Sequence, residues 1–119
     1  MTSEQQVLTK GALRAGELLG MTHAELAQVL HLDAKALSAT GAGIEPLRAD
    51  TPTGQRAIKL IKIHQALTAN VGLGDEVVKR WMASHNTALA GTSALLIQTK
   101  EGLGAVLAYL QSMEAPQGA

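Results

Sequence analysis

Apolar residues in this chain recur every three or four positions almost from end to end, and nowhere do they alternate with polar ones over a strand's length. That rhythm restricts the chain to helices. Leu8, Ala12, Ala15 and Leu19 follow it first, then Leu26, Val29 and Leu30, and near the end Leu103, Val106, Leu107 and Leu110. The aromatic inventory tightens the constraint. There is no phenylalanine, and Trp81 and Tyr109 are the only aromatics, so a core has to be filled by close-packed aliphatic side chains. At 119 residues the chain can bury such a core without metal or disulfide staples, and it contains no cysteine.

Helix punctuation divides the chain. Ser3 and Gln6 read as a capping box opening the first helix, and Gly20 stands where a C-terminal cap belongs. Thr22 and Glu25 form a second capping box ahead of "HAELAQVL", and Asp33 can cap a short third helix, "AKALSA". The stretch "TGAGIEPLRADTPTG" has no periodicity and reads as a linker or long loop, which places a boundary between a domain at 1–50 and another at 53–119. Beyond it, "QRAIKLIKIHQALTAN" is apolar at Ala57, Leu60, Ile61 and Leu67 and again at Ile58 and Ile63. A helix with two apolar sides is buried between neighbours or at a subunit interface, so Ile58 and Ile63 are expected in a homodimer contact. Gly72 and Gly74 end this helix, Asp75 caps "EVVKRWMA", a short helix is expected at 93–98, and Thr99 precedes the last one. The expected fold is all-α: a helix-turn-helix bundle followed by a small C-terminal helical domain.

Charge excludes some functions. Ten basic residues balance ten acidic ones, with four Lys/Arg against six Asp/Glu in residues 1–50. That is not the basic surface of a tight, non-specific nucleic-acid binder, and two aromatics make no stacking platform for single strands. The start, "MTSEQQ", lacks the basic and apolar regions of a signal peptide, and no apolar run approaches the ~20 residues of a membrane span, so a cytoplasmic protein with no membrane association is expected.

Residues 10–40 have the layout of a helix-turn-helix, with the small Ala27 at the crossing and Leu37 turned back into the core. This leaves Lys35, Ser38 and Thr40 toward a major groove, with Arg48 as a further DNA contact. His31 occupies the turn position where glycine is common, and the reading helix is mostly alanine, so DNA affinity is expected to be weak. Arg56, Lys59 and Lys62 read as a solvated face. His23, His31, His64 and His85 show no metal-ligand spacing, the "GAG" and "GLG" segments are not phosphate loops, and no nucleophile constellation is present. No cofactor, no metal and no catalysis are expected.

The segment from Val77 to Leu96 is more specific. A tryptophan helix is followed by Asn86, Leu89 and Gly91 in a loop, the pair Leu95 and Leu96, then Thr99, Gly102 and the apolar positions Val106 and Leu110. This order resembles the toxin-binding domain of the Xre/MbcA/ParS antitoxins, and the upstream helices resemble the helix-turn-helix that the family carries ahead of it. The chain departs from the family in having His85 for a proline, Ala90 for the first of two glycines and Ala94 for a proline. The resemblance implies the antitoxin of a type II toxin–antitoxin system. Such a protein blocks a RES-domain toxin that consumes NAD or transfers its ADP-ribose, and represses its own operon. It also implies self-pairing within a larger toxin–antitoxin complex, and a toxin surface including Trp81, Asn86, Leu89, Gly91, Tyr109 and Met113, with Trp81 bracing the loop. The competing reading of the same residues is a stand-alone helix-turn-helix transcriptional regulator.

Overall fold

The computed structural model describes residues 3–42, 46–70 and 74–114. Helix α1 (Ser3–Leu18) buries Ala12 and Ala15 on one side, and the chain leaves it through Leu19 and Gly20. Gly20 adopts φ 81°, its N–H donating to the Glu17 carbonyl while the Met21 N–H reaches Gly16. This is a Schellman-type stop, which an L-residue would enter at a cost of roughly 1 kcal/mol. The proposed Ser3 cap lies outside the described side chains.

Helix α2 (His23–Leu30) starts as the sequence indicates. The Glu25 N–H donates to Thr22 Oγ1 at 3.1 Å, and the Thr22 N–H donates to Glu25 Oε1 at 2.8 Å, closing the capping box. Its apolar row Leu26, Val29 and Leu30 is buried, as is Ala27. The exit is unusual. His31 has φ 58°, and the N–H of Leu32 returns to the Ala27 carbonyl at 2.9 Å. A histidine thus does the work usually given to glycine in a helix-turn-helix turn. Asp33 then accepts the Ala36 N–H at 2.7 Å and opens α3 (Ala34–Gly41), whose Leu37 turns into the core.

Among the described residues between α3 and α4 (Pro52–Gln65), the chain is pinned rather than loose. The Leu47 N–H donates to Thr9 Oγ1 at 2.9 Å, Leu47 itself is buried, and Thr51 caps α4 through the Gly54 N–H at 3.0 Å. Gly54 lies so close to the Arg48 carbonyl that a Cβ there would overlap its oxygen. Helix α1 packs along α4, which also meets α2 and α7, so residues before and after the proposed boundary contribute to one hydrophobic core.

Ala57, Leu60 and Ile63 of α4 are wholly buried. Ile63 was expected on a second, dimer-forming side. Its spacing of three from Leu60 and four from Leu67 sets it on the inward row, at 0% exposure, and it cannot reach another subunit. Helix α4 runs on as a π-helical turn, Ala66–Asn70, in which Thr68 Oγ1 donates to the His64 carbonyl at 3.0 Å. The proposed stop at Gly72 lies outside the described residues.

The C-terminal part begins with α5 (Asp75–Ala83), preceded by Gly74 in the capping position, so Asp75 is the first helical residue and not the cap. Two-residue strands β1 (His85–Asn86) and β2 (Gly91–Thr92) form a hairpin, antiparallel with His85 opposite Thr92 and Asn86 opposite Gly91. Two turns were expected here; the strands are too short to show an alternating pattern. A one-turn helix, α6 (Ser93–Leu96), leads to α7 (Lys100–Glu114), whose Leu103, Val106, Leu107 and Leu110 are buried as the periodicity predicts. Apart from the hairpin, the described residues are helical or connecting, and none of their helices is long and apolar enough to cross a membrane.

Candidate functional site

The candidate site is the hairpin with the elements on either side of it. Helix α5 buries Val78 and Met82, one turn apart, and this row anchors it. The adjacent row, Val77 and Trp81, is turned outward. Val77 is 41% exposed, and Trp81 is only partly buried, resting on the edge of the core. Trp81 was expected to brace the loop, and the wholly buried side chains of this part are aliphatic ones, among them Met82, Ile97 and Leu103.

The hairpin is held by its own polar atoms. Asn86 Oδ1 accepts the Leu89 N–H at 3.2 Å, and the Ala90 N–H donates to the Thr87 carbonyl at 3.2 Å. This closes a tight Asx-supported turn. Ala90 completes it at φ 57°, a left-handed conformation that suits glycine. At Gly91, a Cβ would stand 3.3 Å from the side chain of Leu96, so β2 approaches α6 closely.

The last two helices are joined just as tightly. Thr99 Oγ1 donates to the Leu96 carbonyl at 3.1 Å and accepts the Gly102 N–H at 2.9 Å, which ends α6 and caps α7 with one hydroxyl. Gly102 is buried where any Cβ would overlap the Leu96 carbonyl oxygen. Ile97 is buried below this junction, whereas Leu95 projects outward at 65% exposure. A large aliphatic side chain so exposed, on a helix fixed against α5 and α7, is a surface feature and not a packing one.

The expected toxin-contacting residues therefore fall into three groups. Asn86 and Gly91 shape the hairpin, while Trp81, Leu89 and Tyr109 are partly buried against the core with an edge exposed. Met113 sits in the last turn of α7, and its side chain lies outside the described ones, as does the tail from residue 115. Leu95 and Val77 were not singled out from the sequence as contacts, because a period alone does not tell which leucine of a pair is buried.

On the N-terminal side, Lys35 and Ser38 of α3 are exposed as a reading helix requires. Thr40 is not available to DNA. It is 3% exposed, because it follows Leu37 by three residues and shares its inward face. Arg48 lies outside α3. Its guanidinium donates twice to Asp50, at 3.2 and 3.0 Å, and this hydrogen-bonded charge holds the exposed Asp50 carboxyl below its ordinary pKa. Among the described residues, no group of three or more histidine or acidic side chains is placed to hold a metal.

Residues 66–115 match the family model described as the antitoxin Xre/MbcA/ParS C-terminal toxin-binding domain. No curated protein matches the chain. The match begins at the π-helical turn and takes in α5, the hairpin, α6 and α7, so it covers the close approaches of Gly91 and Gly102 and the Thr99 cap. Over residues 66–115 the chain is similar to the toxin-binding domains of the Xre/MbcA/ParS antitoxins, which supports an antitoxin role.

Proposed function

We propose that the protein neutralises a RES-domain toxin, one that consumes NAD or transfers its ADP-ribose, by docking the surface around the β1–β2 hairpin over the toxin's active-site cleft. The role is one of binding, in the cytoplasm, without catalysis and without a cofactor. The observation that carries this reading is the outward apolar set formed by Leu95, Val77 and the edge of Trp81, all within the family-matched segment. Rigid aliphatic and indole groups on a braced scaffold are what a stable protein interface uses as anchors. Leu89 and Tyr109 add partly exposed apolar area from the same matched segment.

Autorepression is the second part of the proposal. The capped pair α2 and α3 has helix-turn-helix form, with Lys35 and Ser38 outward. One lysine on a helix of alanines gives weak, salt-sensitive affinity, which several copies brought together on a toxin would raise. A regulator working without a toxin would account for α1 to α3 and leave the match over 66–115 without a use.

Co-expression with the product of the neighbouring open reading frame, where a RES-domain toxin is expected, tests the first part. Growth should be rescued by the wild type and not by Leu95→Glu, and rescue by residues 1–52 alone would overturn the assignment. Gel-shift titration on the protein's own promoter fragment tests the second. Lys35→Glu should weaken binding there, and indifference to that change would exclude α3 as the reading helix.

A further inference from the structure

From Val77 through Lys100 the chain carries Lys79, Arg80 and Lys100 and not one aspartate or glutamate. Ten basic residues balance ten acidic ones over the whole sequence, so the remainder is acidic on balance. The run holds most of α5, the hairpin and α6, which are the elements of the proposed docking surface.

The three cations do not stand alike. Arg80 follows Val77 by three residues, so the two share the outward side of α5, and both are exposed. Lys79 is turned to the other flank. Its stem lies against Gly20 just past the end of α1, where a Cβ on that glycine would meet Lys79 Cγ at 3.0 Å. Lys100 is exposed and follows Thr99, whose hydroxyl joins α6 to α7. Among the described residues the ion pairs are Arg14–Glu17 and Arg48–Asp50, so none neutralises Arg80 or Lys100. Glu76 stands one turn before Arg80, and Glu101 stands next to Lys100. Both lie at the ends of the run, and neither closes on its neighbouring cation.

Lys100 also carries the wrong charge for its place in the fold. The first turn of a helix bears partial positive charge from its unpaired N–H groups, which favours acids and disfavours a lysine. Glu101 satisfies this preference at the start of α7, and Lys100, the first helical residue, opposes it. An exposed residue that breaks a local rule of this kind beside a docking surface points to use in binding.

We infer that the toxin surface receiving the hairpin is an apolar socket with an acidic rim, Leu95 seated in the socket and Arg80 and Lys100 facing carboxylates around it. The inference rests on the docking reading proposed above. A phosphate backbone would satisfy the two cations, but it offers no socket for Leu95, 65% exposed, or for Val77 beside Arg80. Rim charges act chiefly on the rate of encounter and its dependence on salt, whereas a seated apolar anchor acts on dissociation.

Stopped-flow association of the full chain with the product of the neighbouring open reading frame, read between about 50 and 500 mM NaCl, tests it. The wild-type association rate should fall at least about tenfold across that range. Arg80→Glu should associate about tenfold more slowly at the low-salt end and lose most of the salt dependence, with dissociation little changed, and Arg80→Gln should fall between. Lys100→Glu should slow association in the same way while raising the melting temperature, because it places an acid at the start of α7. Lys10→Glu, exposed on α1, should associate within about twofold of wild type. Association indifferent to salt and to Arg80→Glu, in a protein whose binding Leu95→Glu abolishes, would overturn the acidic rim and leave the docking surface in place. Binding by Leu95→Glu equal to wild type would overturn both. If Arg80→Glu lost binding to the promoter fragment and kept wild-type association with the toxin, the cations would belong to DNA and the inference would fall.

Discussion

Gly102 in α7 lies directly on the carbonyl of Leu96, the last residue of α6, and no side chain of any size fits between them. The contact sets the angle at which α6 departs from α7, and therefore where Leu95 points. Thr99 locks the same junction by accepting the Gly102 N–H and donating to the same Leu96 carbonyl.

Gly102→Ala should consequently destabilise the fold by about 3 kcal/mol, at the upper end of what a single added methyl costs in a packed site. Because the clash is with backbone, no rotamer change relieves it. Chemical denaturation with an unchanged slope and a lowered midpoint would report it, and neutralisation should fall in parallel.

At Ala90 the prediction runs the other way. The residue holds φ 57°, which costs a non-glycine side chain roughly 1 kcal/mol. Ala90→Gly should raise stability by about 0.5 kcal/mol after the added chain entropy of glycine is subtracted. An increase in the unfolding midpoint checks this; a loss would show that the alanine methyl makes a contact worth more than the strain.

Trp81→Ala should cost about 2 kcal/mol, less than the 3–5 kcal/mol typical of a fully buried indole, because Trp81 rests on the core edge. Its larger effect should fall on toxin binding. A melt shifted as far as that of Met82→Ala, whose side chain is wholly buried, would return Trp81 to the core.

The halves of the chain should not fold independently. Residues 53–119 lack α1, which lies along α4, and lack the Thr9–Leu47 hydrogen bond. This fragment should unfold at markedly lower denaturant than the full chain and expose apolar surface that binds a hydrophobic dye. Any rescue of growth it gives should be weaker than that of the whole protein.

Local chemistry made much of this fold legible. The Thr22–Glu25 box, the Asp33 cap and the Gly20 stop each involve residues within five positions of one another, and each forms as the sequence indicates. The apolar rows of α1, α2 and α7 were equally readable. Thr40 and Ile63 were readable in principle. Each follows a buried leucine by three residues, so helical geometry already turns it inward. What a single sequence withholds is the identity of the neighbour. The second apolar side of α4 could face another element or another chain, and only the tertiary arrangement shows α1 leaving part of it open. The site follows the same division. Asn86, Gly91, Thr99 and Gly102 entered through the family resemblance, and the structure places them in the hairpin turn and the α6–α7 junction. Leu95 and Val77 were not, because exposure is decided by how α5 and α6 sit on the rest.

Leu95 is turned away from the core, and the proposed function has it facing a toxin. Calorimetric titration of purified Leu95→Glu into the cognate toxin, proposed to be a RES-domain protein, tests it most directly, alongside a thermal melt of the variant. At 65% exposure the substitution should move the melt by no more than about 0.5 kcal/mol in stability, while binding weakens at least a hundredfold. Binding equal to wild type in a well-folded Leu95→Glu protein would contradict the account.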